Sequence, residues 1–236
     1  MSTLFKDFDA VVVFDTETSG LDPEQHQIIE LAAIRVEPTA TGLKVADDMD
    51  EFIRLPEGEH LDAKITELTH ITDAMLQQHG RSQSEVANRF HKLITGSAGR
   101  NNRVLLAAHN AQFDLLFARQ LLRGHHLGVV LQFLDTVTVY KDRAPYPHKL
   151  ESAIEHYKLT DKVRNSHRAI DDVCALLEVM KAMDAEREDL DTYINLFGYN
   201  PKYGVTGERI SGVTYKAQQF TNFMRPAHLT LPSLSR

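Results

Sequence analysis

The stretch Ala10-Val11-Val12-Val13-Phe14-Asp15-Thr16-Glu17-Thr18-Ser19-Gly20-Leu21 passes from five apolar residues straight into two acids separated by a threonine. β-Branched and aromatic side chains at 10–14 favour a buried strand, and Gly20, Asp22 and Pro23 supply the turn chemistry that ends it. Residues two apart on a strand point the same way, so Asp15 and Glu17 share one face and Thr16 takes the other. A carboxylate beside buried hydrophobics loses hydration and needs a partner, and two of them at this range repel. The local sequence offers no such partner. Either one carboxyl keeps its proton or a cation neutralises the pair, and oxygen-only ligands favour a hard ion such as Mg²⁺ or Mn²⁺. The competing reading is an ordinary acidic turn.

Two further segments bear on that choice, His109-Asn110-Ala111-Gln112-Phe113-Asp114 and His167-Arg168-Ala169-Ile170-Asp171-Asp172. A helix beginning near Ala111 puts Asp114, Phe117, Ala118 and Leu121 on one face, so a carboxylate joins an otherwise apolar stripe. In a helix from about Ala169 to Met183, Asp172, Leu176, Val179 and Met183 fall on one side, and Asp171, Ala175, Glu178 and Ala182 on another. Helical phase thus separates adjacent aspartates: Asp172 borders the core, and Asp171 reads as a solvated acid in the first helical turn. His167 lies just before this helix. Beside inward carboxylates it is a candidate general base, because imidazole titrates near neutral pH; alone it would be a capping or surface residue.

The order of elements places these segments on one α/β unit. Ile28 to Val36 and Val45 to Leu55 read as two more strands joined through Pro38–Gly42, an antiparallel meander with the first. A helical region follows from about Thr66 to Ile94. Val104-Leu105-Leu106-Ala107-Ala108 is then a buried strand leading into the second acidic segment, and Val129 to Leu134 another. A meander followed by alternating helix and strand gives a mixed sheet flanked by helices. The 236 residues, 42% hydrophobic, suffice for one sizeable core. The apolar runs are too short to span a bilayer, so no membrane association and a cytoplasmic location are expected. Cys174, the single cysteine, excludes an intramolecular disulfide and is expected to be buried and inert.

The three acidic segments resemble, in order and in their non-catalytic letters, the three motifs of the DEDDh-type 3′–5′ exonuclease family, which includes the proofreading epsilon subunit of bacterial DNA polymerase III. Weaker similarity runs through Ile28-Ile29-Glu30-Leu31-Ala32-Ala33, Leu68 to Leu76, and Asp135-Thr136, covering roughly residues 10 to 183. The resemblance implies a ribonuclease-H-like fold with a five-stranded sheet, two Mg²⁺ or Mn²⁺ ions, and stepwise release of nucleoside 5′-monophosphates from a 3′ end. It implies that Asp15 bridges both ions, Glu17 and Asp172 complete the site that activates water, Asp114 holds the second ion, and His167 takes the proton. It also places Thr16, Thr18, Ser19, Leu21, His70, Asn110 and Phe113 near the terminal nucleotide. Core packing is an equal reading for Phe113, and bracing of the loop the better one for Asn110.

Charge is uneven along the chain. Lys202, Arg209, Lys216, Arg225 and Arg236 against Glu208 give residues 200–236 a formal +4, leaving −11 for residues 1–199 of a total of −7. The expected division is an exonuclease domain over 1–185 and a basic C-terminal extension over 186–236. In the extension, Tyr203, Tyr215, Phe220 and Phe223 lie among basic residues that could hold single-stranded nucleic acid, pack onto the domain, or dock a polymerase or other replication or repair protein. Single-stranded DNA 3′ ends are the expected substrate. An exoribonuclease of the tRNA-trimming or oligoribonuclease type is the first alternative, and a nucleic-acid-binding or scaffold protein with a decayed site the second. All five chemical positions are present, which argues against decay.

Overall fold

The computed structural model describes residues 1, 3–96, 103–125, 131–164, 166–199, 210 and 214–217. Strand β1 (Ala10–Thr18) pairs antiparallel with β2 (Ile28–Thr39), which pairs antiparallel with β3 (Gly42–Phe52). On its other side β1 pairs parallel with β4 (Val104–Ala108), and β4 parallel with β5 (Gln132–Asp135). The order β3-β2-β1-β4-β5 is the expected mixed five-stranded sheet, meander first.

Alternation along the strands builds two cores, one on each face. Val11, Val13, Ala32 and Ile34 face α7 (Ala169–Glu186), whose Val173, Leu176, Val179 and Met183 are buried against them. Val12, Phe14, Leu31 and Ala33 face α3 (Gln83–Thr95) and α4 (Ala111–Leu121), through Phe90, Leu93, Phe117 and Ala118. Because β1, β4 and β5 run parallel, their C-terminal ends lie at one edge of the sheet, where ligand sites of open α/β sheets form.

The helical stretch expected over 66–94 is three helices: α1 (Ala63–Thr69), α2 (Asp73–His79) and α3. Local capping explains the breaks. Asp62, Thr72 and Ser82 each accept a backbone N–H at a helix start, and His70 at φ 59° ends α1. The strand expected over 129–134 begins at Gln132, and residues 126–130 lie outside the described set. Two more helices, α5 (Thr136–Arg143) and α6 (Leu150–His156), precede α7.

Two expectations about α7 need correction. Ala175 is buried and Cys174 is exposed, so the solvated stripe is Asp171, Cys174, Glu178 and Lys181 rather than the one through Ala175. The helix packs on both the sheet and α6, which widens its buried face beyond a single stripe.

Past α7 the chain stays attached. Leu190 and Tyr193 join the α7-side core and Phe197, on β6 (Leu196–Tyr199), the opposite one. Arg143, almost wholly buried, binds the Met183 carbonyl and Asp189, and Arg187 binds Asp142. Strand β7 (Thr214–Ala217) pairs parallel with β6, and the Tyr215 ring lies 5.7 Å from that of Phe197. Of the aromatics expected in the extension, Tyr203, Phe220 and Phe223 lie outside the described residues. No helix among the described residues is long and apolar enough to cross a membrane.

Candidate active site

Strand alternation sets the site. Asp15 and Glu17, half-buried on the α7 face of β1, meet the buried Asp172 from the first turn of α7, and one oxygen of each carboxylate lies within 4.8 Å of the others. Asp114 approaches from the opposite layer. Buried at 3% exposure on α4, it accepts the Thr16 backbone N–H at 3.0 Å and the Thr16 hydroxyl at 2.7 Å on one oxygen. Thr16 thus couples the two faces of the sheet.

Without a cation this arrangement resists ionisation. Burial first, then the charges of Asp114, Asp172, Glu17 and Glu30, hold the Asp15 carboxyl well above the usual carboxylate range. Burial, with Asp172, Glu30 and Asp114, pushes Glu17 up to about 8, against the pull of Arg168. Burial pushes Asp172 up to about 7 despite a backbone N–H from Ser166, and Asp114 to about 7 despite its bonds from Thr16. One oxygen of Asp172 is buried with no hydrogen-bond partner among the described residues. A buried orphan acceptor inside a cluster of repelling carboxyls is the chemistry a hard divalent ion satisfies, so the donor set fits such an ion.

The other expected residues are placed less centrally. His167, exposed at φ 55°, occupies the turn before α7 and is not one of the groups within the 4.8 Å set. Leu21 is 81% exposed, and His70 is exposed at the end of α1. Thr18 donates its hydroxyl to the Gly20 carbonyl, and the Ser19 hydroxyl accepts the Gln27 N–H, so both hold the turn after β1. That turn is tight: a Cβ on Gly20 would sit 2.2 Å from the His26 ring. Asn110, at φ 73°, donates its backbone N–H to Asp135, the bracing role expected of it. Phe113 is half-buried with its ring 5.0 Å from Phe117, which accords with core packing.

Three residues around the site lie in the quoted segments of the sequence but were given no role there. Glu30, fully buried on β2, binds the Arg168 guanidinium and the Ala169 N–H. Asp135 gathers the Asn110, Ala111 and Val137 N–H groups on one oxygen and the Thr138 hydroxyl on the other. His109 lies between the Thr136 hydroxyl at 2.9 Å and the His148 carbonyl at 3.1 Å. For Glu30 the signal was an acid amid the apolar run Ile28–Ile34.

The family model for exonucleases of the RNase T type matches residues 12–180, which contain every carboxylate of the cluster. Among curated proteins, the chain is 34% identical over 172 residues to a DNA polymerase III subunit epsilon-like protein of Rhodobacter capsulatus, covering 71% of this chain and 22% of that protein. It is 29% identical over 197 residues to DNA polymerase III PolC-type of Clostridium perfringens, covering 83% of this chain and 12% of that protein. The chain therefore spans a minor part of these relatives. Among solved structures, the zinc-bound complex of E. coli exonuclease I with single-stranded DNA superposes with a TM-score of 0.61 at 18% identity, over 79% of this chain and 42% of that one. That likeness identifies the fold as ribonuclease-H-like. From its matching family model and its sequence relatives, the chain belongs to the exonuclease family.

Proposed function

We propose that the protein is a 3′–5′ exonuclease that hydrolyses the terminal phosphodiester bond of a DNA 3′ end and releases nucleoside 5′-monophosphates. The observation that carries this reading is the convergence of Asp15, Glu17 and Asp172 within 4.8 Å, with a buried oxygen on Asp172 that has no hydrogen-bond partner among the described residues. Asp15, Glu17, Asp172 and Asp114 would hold two Mg²⁺ or Mn²⁺ ions. Bound there, the ions supply Lewis-acid stabilisation of the charge that develops at the scissile phosphate and the leaving 3′ oxygen.

The chain's own residues do the rest. His167 takes the proton of the attacking water, and its exposed position on the turn before α7 leaves it open to that water. Thr16 acts through Asp114, since both its donors are engaged there. Thr18 and Ser19 shape the turn, while exposed Leu21 and His70 meet the terminal nucleotide, flanked by Asn110 and Phe113. Residues 1–185 form the exonuclease domain in this reading. The extension over 186–236 is fastened to it by Leu190, Tyr193 and Phe197 and carries any affinity for long single strands or for a polymerase. A cytoplasmic setting suits such a substrate. The names of the relatives favour DNA over RNA.

The test uses 5′-labelled single-stranded DNA, the same strand with a 3′-phosphate, a circular strand, and RNA of the same sequence, each with Mg²⁺, Mn²⁺ or chelator. Single-nucleotide shortening of the free 3′ end, dependent on the ion and blocked by the 3′-phosphate, is expected. Cleavage of the circle refutes the exonuclease reading, and faster shortening of RNA moves the assignment to the exoribonuclease branch.

A further inference from the structure

Two buried acids, Glu30 and Asp135, stand in the same relation to the two helices that carry site aspartates. Glu30 on β2 accepts the Ala169 N–H at 3.0 Å; Ala169 is the first residue of α7, and Asp172 follows three residues later. Asp135 at the end of β5 accepts the Ala111 N–H at 3.2 Å; Ala111 is the first residue of α4, and Asp114 follows three residues later. Helices leave their first N–H groups unpaired and present positive potential there, so each acid both satisfies a donor and complements the dipole. Neither helix is capped by its own N-cap side chain, Arg168 or Asn110. The caps come from strands of the sheet instead.

Each acid also grips the residue just before its helix. Glu30 accepts from the Arg168 guanidinium at 2.6, 2.9 and 3.2 Å, and the Arg168 carbonyl in turn accepts the Asp172 N–H at 3.1 Å. Asp135 accepts the Asn110 N–H at 3.1 Å. The entry of each helix is therefore tied to the sheet at the residue before it and at its first residue, one turn short of a site carboxylate.

We infer that Glu30 and Asp135 are positioning residues for the hydrolysis, aiming Asp172 and Asp114 by pinning the starts of α7 and α4. The inference rests on the exonuclease reading above for its kinetic readout alone. Its chemistry makes the two acids respond differently to amide substitution. Asp135→Asn keeps a carbonyl oxygen for three N–H groups and turns its amide to the Thr138 hydroxyl, which already accepts the Gly198 N–H and takes the amide as a second donor in place of its own bond to the acid. Glu30→Gln cannot keep both sets of bonds, because one oxygen faces Ala169 N–H and the guanidinium spans both, so an NH₂ meets a donor either way.

Full-length Glu30→Gln, Asp135→Asn, Asp135→Ala and unaltered protein are compared for Mn²⁺ affinity by calorimetry, for kcat and KM on a short single strand, and for melting temperature. Glu30→Gln and Asp135→Ala are expected to lose roughly 10- to 100-fold in kcat and to bind Mn²⁺ several-fold more weakly, with KM changed little, the usual scale for groups that orient ligands. Asp135→Asn should stay within about 3-fold of the unaltered protein in kcat. A fall in melting temperature with unchanged kcat and Mn²⁺ affinity would make both acids purely structural and overturn the inference, as would Asp135→Asn failing as badly as Asp135→Ala. If Glu30→Gln or Asp135→Ala does not fold, Arg168→Lys and Thr138→Val loosen the same two anchorages more gently, and unaltered kcat and Mn²⁺ affinity in both overturns the inference. An unaltered protein without nuclease activity would defeat the exonuclease reading alone, since Mn²⁺ affinity still decides the positioning role.

Discussion

Replacing Asp172 by asparagine should stabilise the metal-free protein while abolishing its activity, a combination an ordinary core substitution does not give. Burial and the charges of Asp171 and Glu30 push the Asp172 carboxyl from the ordinary 3.8 to about 7. At about 1.4 kcal/mol for each pH unit, holding the ionised form at pH 8 costs on the order of 4 kcal/mol. Part of that is shared with Asp15 and Glu17, and an asparagine amide leaves its own buried group to satisfy, so the net gain is about 2–3 kcal/mol. The sign follows from the raised folded value. Between about pH 4 and about pH 7 the folded protein binds more protons than the unfolded chain, so this group's contribution to stability is complete below pH 4 and is lost as pH rises through 7. Asparagine does not titrate, so its advantage is small at pH 5 and full at pH 8.

In a chain of this size, 1 kcal/mol moves the melting temperature by about 2–4 °C, so the variant should melt roughly 5–10 °C higher in chelator at pH 8 and nearly level at pH 5. The assay is thermal unfolding at both pH values, with chelator or with Mn²⁺. The ion should raise the melting temperature of the unaltered protein strongly and that of the variant little, because only the former offers the full ligand set. A variant less stable than the parent in chelator at pH 8, or an advantage that does not change with pH, would refute the electrostatic reasoning.

His167→Ala should lower turnover by roughly 10²- to 10⁴-fold, the usual share of a general base, with little change in calorimetric Mn²⁺ affinity; a collapse of that affinity would make the imidazole a ligand. Asp171→Asn should cost much less activity than Asp172→Asn, since Asp171 is exposed and accepts the Ser166 hydroxyl at 2.5 Å. Equal losses in a nuclease assay would contradict the helical phase. Truncation after Ala217 retains β7 and the Tyr215–Phe197 contact, so melting temperature and dinucleotide turnover should hold, while affinity for long single strands falls with a shallower salt dependence. An unchanged salt slope assigns residues 218–236 no part in strand binding.

The sheet and the inward aspartates were legible because they rest on local periodicity. Val11 to Phe14 alternate between two cores, and Asp114 and Asp172 each fall on an apolar helical stripe, so a residue's face follows from its spacing. The breaks at His70 and Gly80 were missed although the sequence marks them, with the N-cap residues Thr72 and Ser82 just after each, because the flanking helical periodicity was read as one region. Cys174 was misplaced for the opposite reason: α7 packs against both the sheet and α6, so its buried arc is wider than one stripe and the exposed remainder shifts by a residue.

What no periodicity carries is pairing at long range. Glu30 and Arg168 are 138 residues apart, and the acid reads as an interruption of a strand until the guanidinium that offsets its burial is found. The same holds for Thr16 and Asp114, 98 residues apart. A buried acid in an apolar run demands a partner, so the sequence poses the question even where it cannot name the answer. At Glu30 the answer is a protein cation together with a helix N-terminus. At Asp15, Glu17 and Asp172 no lysine or arginine among the described residues answers in the same way: Arg168, which pulls on Glu17, is committed to Glu30. Within one site, then, one buried acid is neutralised by the protein and the adjoining three are left in mutual repulsion, and that difference marks the three as the place where an external cation belongs.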